Sequence, residues 1–478
     1  MWVLLLIPAA IIIFLAVIII RALMFSPKPQ PKTDDAEVSF DSKRAVNALC
    51  ELVRCKTVSR GDPSLEDDAE FEKLIDKLPS LFPNVFAKCD FERLPNRALL
   101  FHWHGKAEGD PAVLMAHYDV VPVNEELWDV PAFEAIIKDG CIWGRGTLDT
   151  KVTFCGSLFA ADHLIVEGFI PEHDIYFAYS GGEEVNGEGA VRIVEYFEQK
   201  GITPAYVLDE GGAVVENVFP GVKAPCGLIG IAEKGMMNVE YSVKSGGGHA
   251  SAPKPGAPID RLSEACIKMI KNPFKVKLTP PVAEMFDTLG RYSSFVYKII
   301  FSNIKLFLPV LGLICKKSGG ELNALMRTTV AFTQMQGSSA VNVIPPKATL
   351  TSNMRLNPAD NMNSAMEYIK NTVNDDKVEI TCLSGMNPSR ISITDCEGYN
   401  KVASAVASTW NGCIVSPYLM VQCSDSRHYG KISDKVYRFS AMDLTAEERA
   451  TIHGNNEKIR LEAFDKTVEF YIRLIKNS

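Results

Sequence analysis

The run Asp174-Ile-Tyr-Phe-Ala-Tyr-Ser-Gly-Gly-Glu-Glu-Val-Asn-Gly-Glu-Gly189 decides how the rest of the chain is read. Asp174 to Tyr179 is apolar enough for a buried strand, and Gly181-Gly182 is its stop signal. Two adjacent carboxylates, Glu183 and Glu184, stand just beyond the glycines. Neighbouring residues at a strand end point in different directions, so the two acids suit different tasks. One can hold a metal while the other reaches water on it. A lone Glu-Glu pair is ordinarily a solvated loop, so its company along the chain matters more than the pair itself.

That company repeats. Upstream, Pro111-Ala-Val-Leu-Met-Ala-His-Tyr-Asp-Val120 reads as a buried strand of a parallel sheet ending in His117-x-Asp119. Ligands of open α/β sheets collect beyond the carboxyl ends of strands, where this pair falls. The glycine-punctuated loop Ile142 to Lys151 sets Asp149 directly before a predicted helix, Lys151 to Glu167. Asp149 suits a helix cap, but a carboxylate's two oxygens can also bridge two cations. Pro204 to Gly212 is another apolar strand, expected to end in Asp209 before its glycines. Four successive strand ends would therefore present His, Asp, Glu-Glu and Asp. Zn²⁺ takes such ligands, and two-metal sites place their cations roughly 3.5–4 Å apart to activate water and polarise a carbonyl. One further His would complete symmetrical sets. Ile452-His453-Gly-Asn-Asn-Glu457 offers it, on a loop before a helix expected from Glu457 towards Leu474. The His102-x-His104 pair lies on a different predicted strand, Ala98 to Gly105, and reads as ordinary strand residues.

The 478 residues exceed one typical domain, and the net charge of −8 with no basic, aromatic-interleaved cluster argues against nucleic acid as a partner. Trp2 to Ile20 is apolar and uncharged, long enough for an uncleaved transmembrane anchor. Arg21, Lys28 and Lys32 follow this span, a weak lean towards a body on the cytoplasmic side. Twelve cysteines without a Cys-x-x-Cys pair fit a reducing compartment. Ser26 to Asp35 has the composition of an extended spacer that would hold the body off the membrane. Helical periodicity over Phe40 to Val58 and Asp67 to Leu81 predicts two helices before the first strand. Further on, the order is strand 236–243, helix 259–270, strands 328–334 and 349–355, helix 363–373 and strand 378–383. This β-α-β-β-α-β succession is ferredoxin-like. Asn272 to Leu325 interrupts it, as an added helical pair, a dimer surface or a second membrane-facing element.

Several motifs, in order, resemble those of the co-catalytic metallopeptidase family that includes carboxypeptidase S, aminoacylase and glutamate carboxypeptidase. They are 115–122 (MAHYDVVP), 143–151 (WGRGTLDTK), 180–189 (SGGEEVNGEG), 208–212 (LDEGG), 248–251 (GHAS), 342–345 (NVIP) and 424–428 (SDSRH). The nearest branch is that of carboxypeptidase S and N-acyl-amino-acid hydrolases. The resemblance implies a catalytic α/β domain, with a mostly parallel sheet flanked by helices, and an inserted ferredoxin-like lid or dimerisation domain. The expected division is an anchor (1–25), a linker (26–39), catalytic segments (40–235 and 389–478) and the lid (236–388). It further implies two Zn²⁺ per chain, with Co²⁺ or Mn²⁺ as substitutes. His117, Asp149 and Asp209 would hold one ion, and Asp149, Glu184 and His453 the other. Glu183 would be the general base, and Asp119 would support His117. His249 would reach a partner subunit's site in a homodimer, while Asn342 and Arg355, with Arg427 nearby, would bind the substrate's carboxylate. The activity implied is hydrolysis of an amide beside a free C-terminal carboxylate, in a small peptide or an N-acyl amino acid. A non-catalytic metal-binding scaffold is the contrasting class, against which the presence of Glu183 speaks.

Overall fold

The structure, a computed structural model, describes residues 2–217 and 219–478; Met1 and Val218 lie outside it. Helix α1 (Trp2–Met24) has a stretch, Ile7–Met24, long and apolar enough to cross a membrane. Among its described side chains, those buried on the body are Ile18 and Ala22 near the C-terminal end, with Phe25 just beyond. Helices α2 (Ser42–Val53) and α3 (Asp68–Leu81) open on Asp41 and Asp67, whose carboxylates accept backbone N–H groups of the first turn. The first is shorter than its periodicity suggests, because Val58 already pairs with Val120 as a β-bridge. Helix α4 (Pro83–Lys88) and strands β1 (Asp90–Leu94), β2 (Ala98–Trp103) and β3 (Ala112–His117) follow. Short strands β4 (Ile136–Lys138) and β5 (Cys141–Trp143) then lead to α5 (Lys151–Val166), buried along nearly its whole length. Next come β6 (Ile175–Ser180), α6 (Gly189–Lys200), β7 (Tyr206–Val215) and β8 (Cys226–Glu233).

The chain then builds a second sheet. Its elements are β9 (Gly235–Lys244), β10 (Gly248–His249), α7 (Pro258–Lys271), α8 (Pro280–Gly290), α9 (Phe295–Phe301), α10 (Ile304–Ser318) and α11 (Gly320–Met326). They continue through β11 (Thr329–Gln336), β12 (Val343–Ile344), β13 (Lys347–Leu356), α12 (Met362–Val373) and β14 (Glu379–Met386). The order β11-β13-β9-β14, antiparallel throughout, is the ferredoxin-like arrangement expected from the periodicity. Met237, Val239, Tyr241 and Val243 alternate inward from β9 against Leu262, Ala265 and Ile369 of the two helices. The interruption is four helices, α8 to α11, rather than a pair. Between α9 and α10 the axis bends by 103°.

Helix α13 (Glu397–Thr409), β15 (Ile414–Met420), β16 (Val436–Leu444), α14 (Ala446–Arg449), β17 (Lys458–Arg460) and α15 (Leu461–Lys476) complete the body. The large sheet has eight strands in the order β1-β2-β6-β3-β7-β16-β8-β15. It is mixed rather than mostly parallel. β6/β3, β3/β7, β7/β16 and β8/β15 run parallel, whereas β1/β2, β2/β6 and β16/β8 run antiparallel. The few residues between β1 and β2 are too short for a crossover and force a hairpin. Strand β3 shows why its sequence is apolar on both faces. Val113 and Met115 pack under α6, while Leu114 and Ala116 join the core beneath α2, α5 and α15.

The segment between α1 and α2 carries no helix or strand, but it is strapped to the body rather than held clear of it. Strand β15 is a sheet edge, and the Val415 N–H that it leaves unpaired donates to Gln30 Oε1 at 2.8 Å. Arg473 donates to the carbonyls of Asp34 and Ala36.

Candidate active site

Residues after β5 and β6, a distorted stretch inside β7 and the loop before β17 line a cavity of about 640 Å³, and the end of β3 reaches it through the contact of His117 with Asp149. His117 closes β3 and is 2% exposed. Its Nδ1 lies 3.0 Å from the Asp119 carbonyl oxygen. A carbonyl only accepts, so Nδ1 carries a proton and Nε2 is turned to the cavity. There Nε2 meets Asp149 Oδ1 at 3.0 Å and Glu210 Oε1 at 3.4 Å. The other Asp149 oxygen, Oδ2, lies 3.0 Å from His453 Nε2, which is also 3.0 Å from Glu184 Oε2. One carboxylate thus spans both imidazoles.

Glu183 and Glu184 open a short 3-10 turn after Gly182. Asp119 holds that turn by accepting the Glu183 N–H at 3.2 Å and the Glu184 N–H at 3.3 Å. The same carboxylate is 3.3 Å from His117 Nδ1, so Asp119 positions three groups at once. Gly181 is needed beneath, since a Cβ there would meet the Tyr118 ring at 2.6 Å.

Glu210, rather than Asp209, is the acid of the 208–212 motif that comes within 4 Å of the His117 imidazole. β7 does not end at its glycines; it continues to Val215, and its pairing with β16 jumps from Asp209/Arg438 to Gly212/Phe439. Glu210 and Gly211 form the resulting bulge, and bulges re-aim side chains. Glu210 turns to His117, and a possible ligand set of His117, Glu183 and Glu210 comes together beside that of His117, Asp149 and Glu184. Asp209 instead accepts the Ser426 N–H at 2.9 Å through Oδ2 and belongs to neither set.

A second residue not singled out in the sequence is Glu457, fully buried. It accepts Arg145 Nη1 at 2.5 Å and the backbone N–H groups of Gly146, Leu148 and Asp149. Arg145 also donates to the Gly454 carbonyl. The loops carrying Asp149 and His453 are therefore locked together. His453 itself adopts a left-handed backbone at φ 59°.

Among the described residues, His117 and His453 are the only basic side chains within 4 Å of Asp149, Glu184 or Glu210. Burial, with Asp149 adding to it, pushes the Glu210 carboxyl up to about 8, and burial also raises Glu183 and Glu184. Burial opposes the charge on Asp149 too, yet hydrogen bonds from both imidazoles hold it below the usual range. Bonds to Asp149 and Glu184 drive His453 up to about 10. Two imidazoles cannot balance four clustered carboxylates, so the donor set fits divalent cations.

The remaining candidates are dispersed. Arg355, on β13, donates to Cys423 Sγ at 3.4 Å, and Cys423 lines the cavity. Arg427 donates to Ser424 O and to Asn186 Oδ1, one residue past the 3-10 turn. His249 lies on β10 and Asn342 just before β12, which pair as an exposed two-stranded ribbon of their own, and neither lines the cavity. His102 and His104 lie outside this site, on Asp174 and Asp90 respectively, and their spacing with Asp90 is itself one that could hold a metal ion.

The family model for peptidase family M20/M25/M40 matches residues 113–477. "Probable carboxypeptidase S-like 2" of Dictyostelium discoideum is 33% identical, over 97% of this chain and 92% of its own length. "N-fatty-acyl-amino acid synthase/hydrolase PM20D1" of Xenopus tropicalis is 36% identical, over 92% of this chain and 86% of its own. Among solved structures, the M20 family metallo-carboxypeptidase Sso-CP2 of Sulfolobus solfataricus superposes with a TM-score of 0.68 at 18% identity, covering 90% and 98% of the two chains. With its buried acid and imidazole cluster and a family match across most of its length, this chain belongs to peptidase family M20/M25/M40, the metal-dependent hydrolases.

Proposed function

We propose that the chain hydrolyses an amide bond next to a free carboxylate, in a small peptide or an N-acyl amino acid, with two zinc ions. The observation that carries this reading is Asp149, whose two oxygens face His117 and His453 separately, with Glu183 standing beside His117 and Glu210. His117, Asp149 and Glu210 would hold one ion, and Asp149, Glu184 and His453 the other. Bound there, they supply Lewis acidity to the scissile carbonyl and make water a better nucleophile. The chain's own residues do the rest. Glu183, whose pKa burial raises, takes a proton from the attacking water and returns it to the leaving amine. Asp119 holds the backbone beneath Glu183 and so sets its reach.

Arg355 and Arg427 are the candidates for the substrate's carboxylate, a task that suits a guanidinium's two parallel donors. His249 and Asn342 lie on a separate two-stranded ribbon and do not line their own chain's cavity, which favours service to a partner subunit in a homodimer. α1 is proposed as a membrane anchor. The test is substitution of the base: Glu183→Ala should abolish turnover of dipeptides and N-acyl amino acids while the protein still binds two metals. Equal loss of metal and activity would remove Glu183 from the role. An inactive wild-type protein carrying two metals would favour the scaffold reading.

A further inference from the structure

Beside the catalytic cavity lies a second one, of about 380 Å³, enclosed by α8 to α11 and the strands β8 and β15. Its walls are apolar, with Phe219, Met285, Phe286, Leu289, Phe301 and Leu325 prominent, and among the described residues Glu321 is the only charged one that lines it. The two cavities share three residues: Leu228, Glu321 and Tyr418. Tyr418 donates to Glu321 Oε1 at 3.1 Å, so a single hydrogen bond stands in the common wall. α11 also gives Gly320 and Ala324 to the catalytic side. The helices that interrupt the ferredoxin-like order therefore build both the apolar chamber and part of the reaction chamber.

Their outer side is apolar as well. Val296 of α9 and Val310 and Leu313 of α10 are exposed, at 67%, 51% and 70%. α1 docks against α9, where Asn303 Nδ2 donates to the Ile18 carbonyl and the Arg291 guanidinium lies over the Phe25 ring at 4.4 Å. The chamber thus sits where the membrane-length helix meets the body.

We infer that the chamber framed by α8 to α11 is an acyl-chain compartment, which takes the long alkyl chain of an N-acyl amino acid substrate while its amide lies in the catalytic cavity. This inference rests on the amidohydrolase reading above and adds the location of the acyl chain. A second peptide unit would bring N–H and carbonyl groups into walls that offer them almost no partners, at a cost an alkyl chain does not incur. The size falls within the range of pockets that enclose small ligands, roughly 300–1,000 Å³. Glu321 and Tyr418 form the threshold between amide and chain, and the exposed apolar faces of α9 and α10 give the chain a route from a lipid surface.

The test uses full-length, metal-loaded protein in detergent micelles and a series of N-acyl phenylalanines from acetyl to oleoyl, with a dipeptide alongside. Each methylene buried should raise kcat/KM by about fourfold until the chamber is full, after which the gain stops. Ile300→Trp, at a half-buried wall position, should bring the plateau to shorter chains and leave hydrolysis of acetylphenylalanine unchanged. Leu322→Trp is the second filler, should the first fail to fold. A diazirine-bearing fatty acid should label α8 or α11, and unlabelled oleoylphenylalanine should suppress that labelling while phosphatidylcholine vesicles do not. Rates indifferent to chain length in an enzyme active on the short substrates would overturn the compartment and spare the amidohydrolase reading. Suppression by vesicles alone would reassign the chamber to membrane lipid and overturn it too. Failure to cleave any amide would instead overturn the underlying reading.

Discussion

Glu210 and Asp209 stand side by side on β7, but one faces His117 and the other a backbone N–H of the loop after β15. Strand parity alone puts them on opposite faces, so the motif Leu208-Asp-Glu-Gly-Gly212 contains the answer without revealing which acid is turned inward. The bulge decides, and Gly212 is what allows it: a Cβ there would lie 1.8 Å from the Leu228 carbonyl oxygen. In the two-metal reading, Glu210→Ala should halve the bound metal, measured by elemental analysis, and lower turnover by more than about 100-fold. Asp209→Asn keeps an acceptor for Ser426 and should retain both metals, with a loss of about 10-fold or less. The opposite outcome would return the ligand role to Asp209.

At the level of elements, the clamp around Glu457 joins the loop after β5 to the loop before β17, which themselves pair as strands. Its carboxylate accepts from one nitrogen of a buried guanidinium and from three backbone donors. Glu457→Ala would strand all four and should cost about 3–5 kcal/mol in urea unfolding. Glu457→Gln retains acceptor capacity and should lose less. A loss below about 1 kcal/mol for the alanine variant would mean that the clamp is dispensable. Much of this level is legible in the sequence. The apolar runs 111–120 and 174–179 give their strands to within about three residues, and α12 and β13 follow the stated periodicities. What escapes is anything set by a distant partner. Glu457 looks like a helix-opening acid, but it is drawn back by Arg145, 312 positions earlier. The spacer looks free, but an unpaired edge N–H captures Gln30. The parallel sheet becomes mixed because β2 runs against β6 and β8 runs against β16, pairings that hydropathy does not report.

For the whole molecule, the central question is whether a single chain is sufficient. His249 and Asn342 share a short exposed ribbon outside the cavity of their own chain. If they serve a partner, an equal mixture of inactive Glu183→Ala and His249→Ala chains should recover activity. Half the dimers would be hybrid, each with one competent site, so about a quarter of wild-type turnover should return. No recovery, with hybrids demonstrated by size and tag capture, would place the action of His249 within one chain.

The bridge between Asp149 and His453 also bears on how the protein is made. Translation delivers five of the clustered groups by residue 210, yet the second imidazole and its Glu457 lock come some 240 positions later. A ribosome must write almost the entire message before the acids can be balanced by both rings. A growing or prematurely released polypeptide therefore lacks a finished centre, and competence to cut amides is granted only to finished copies.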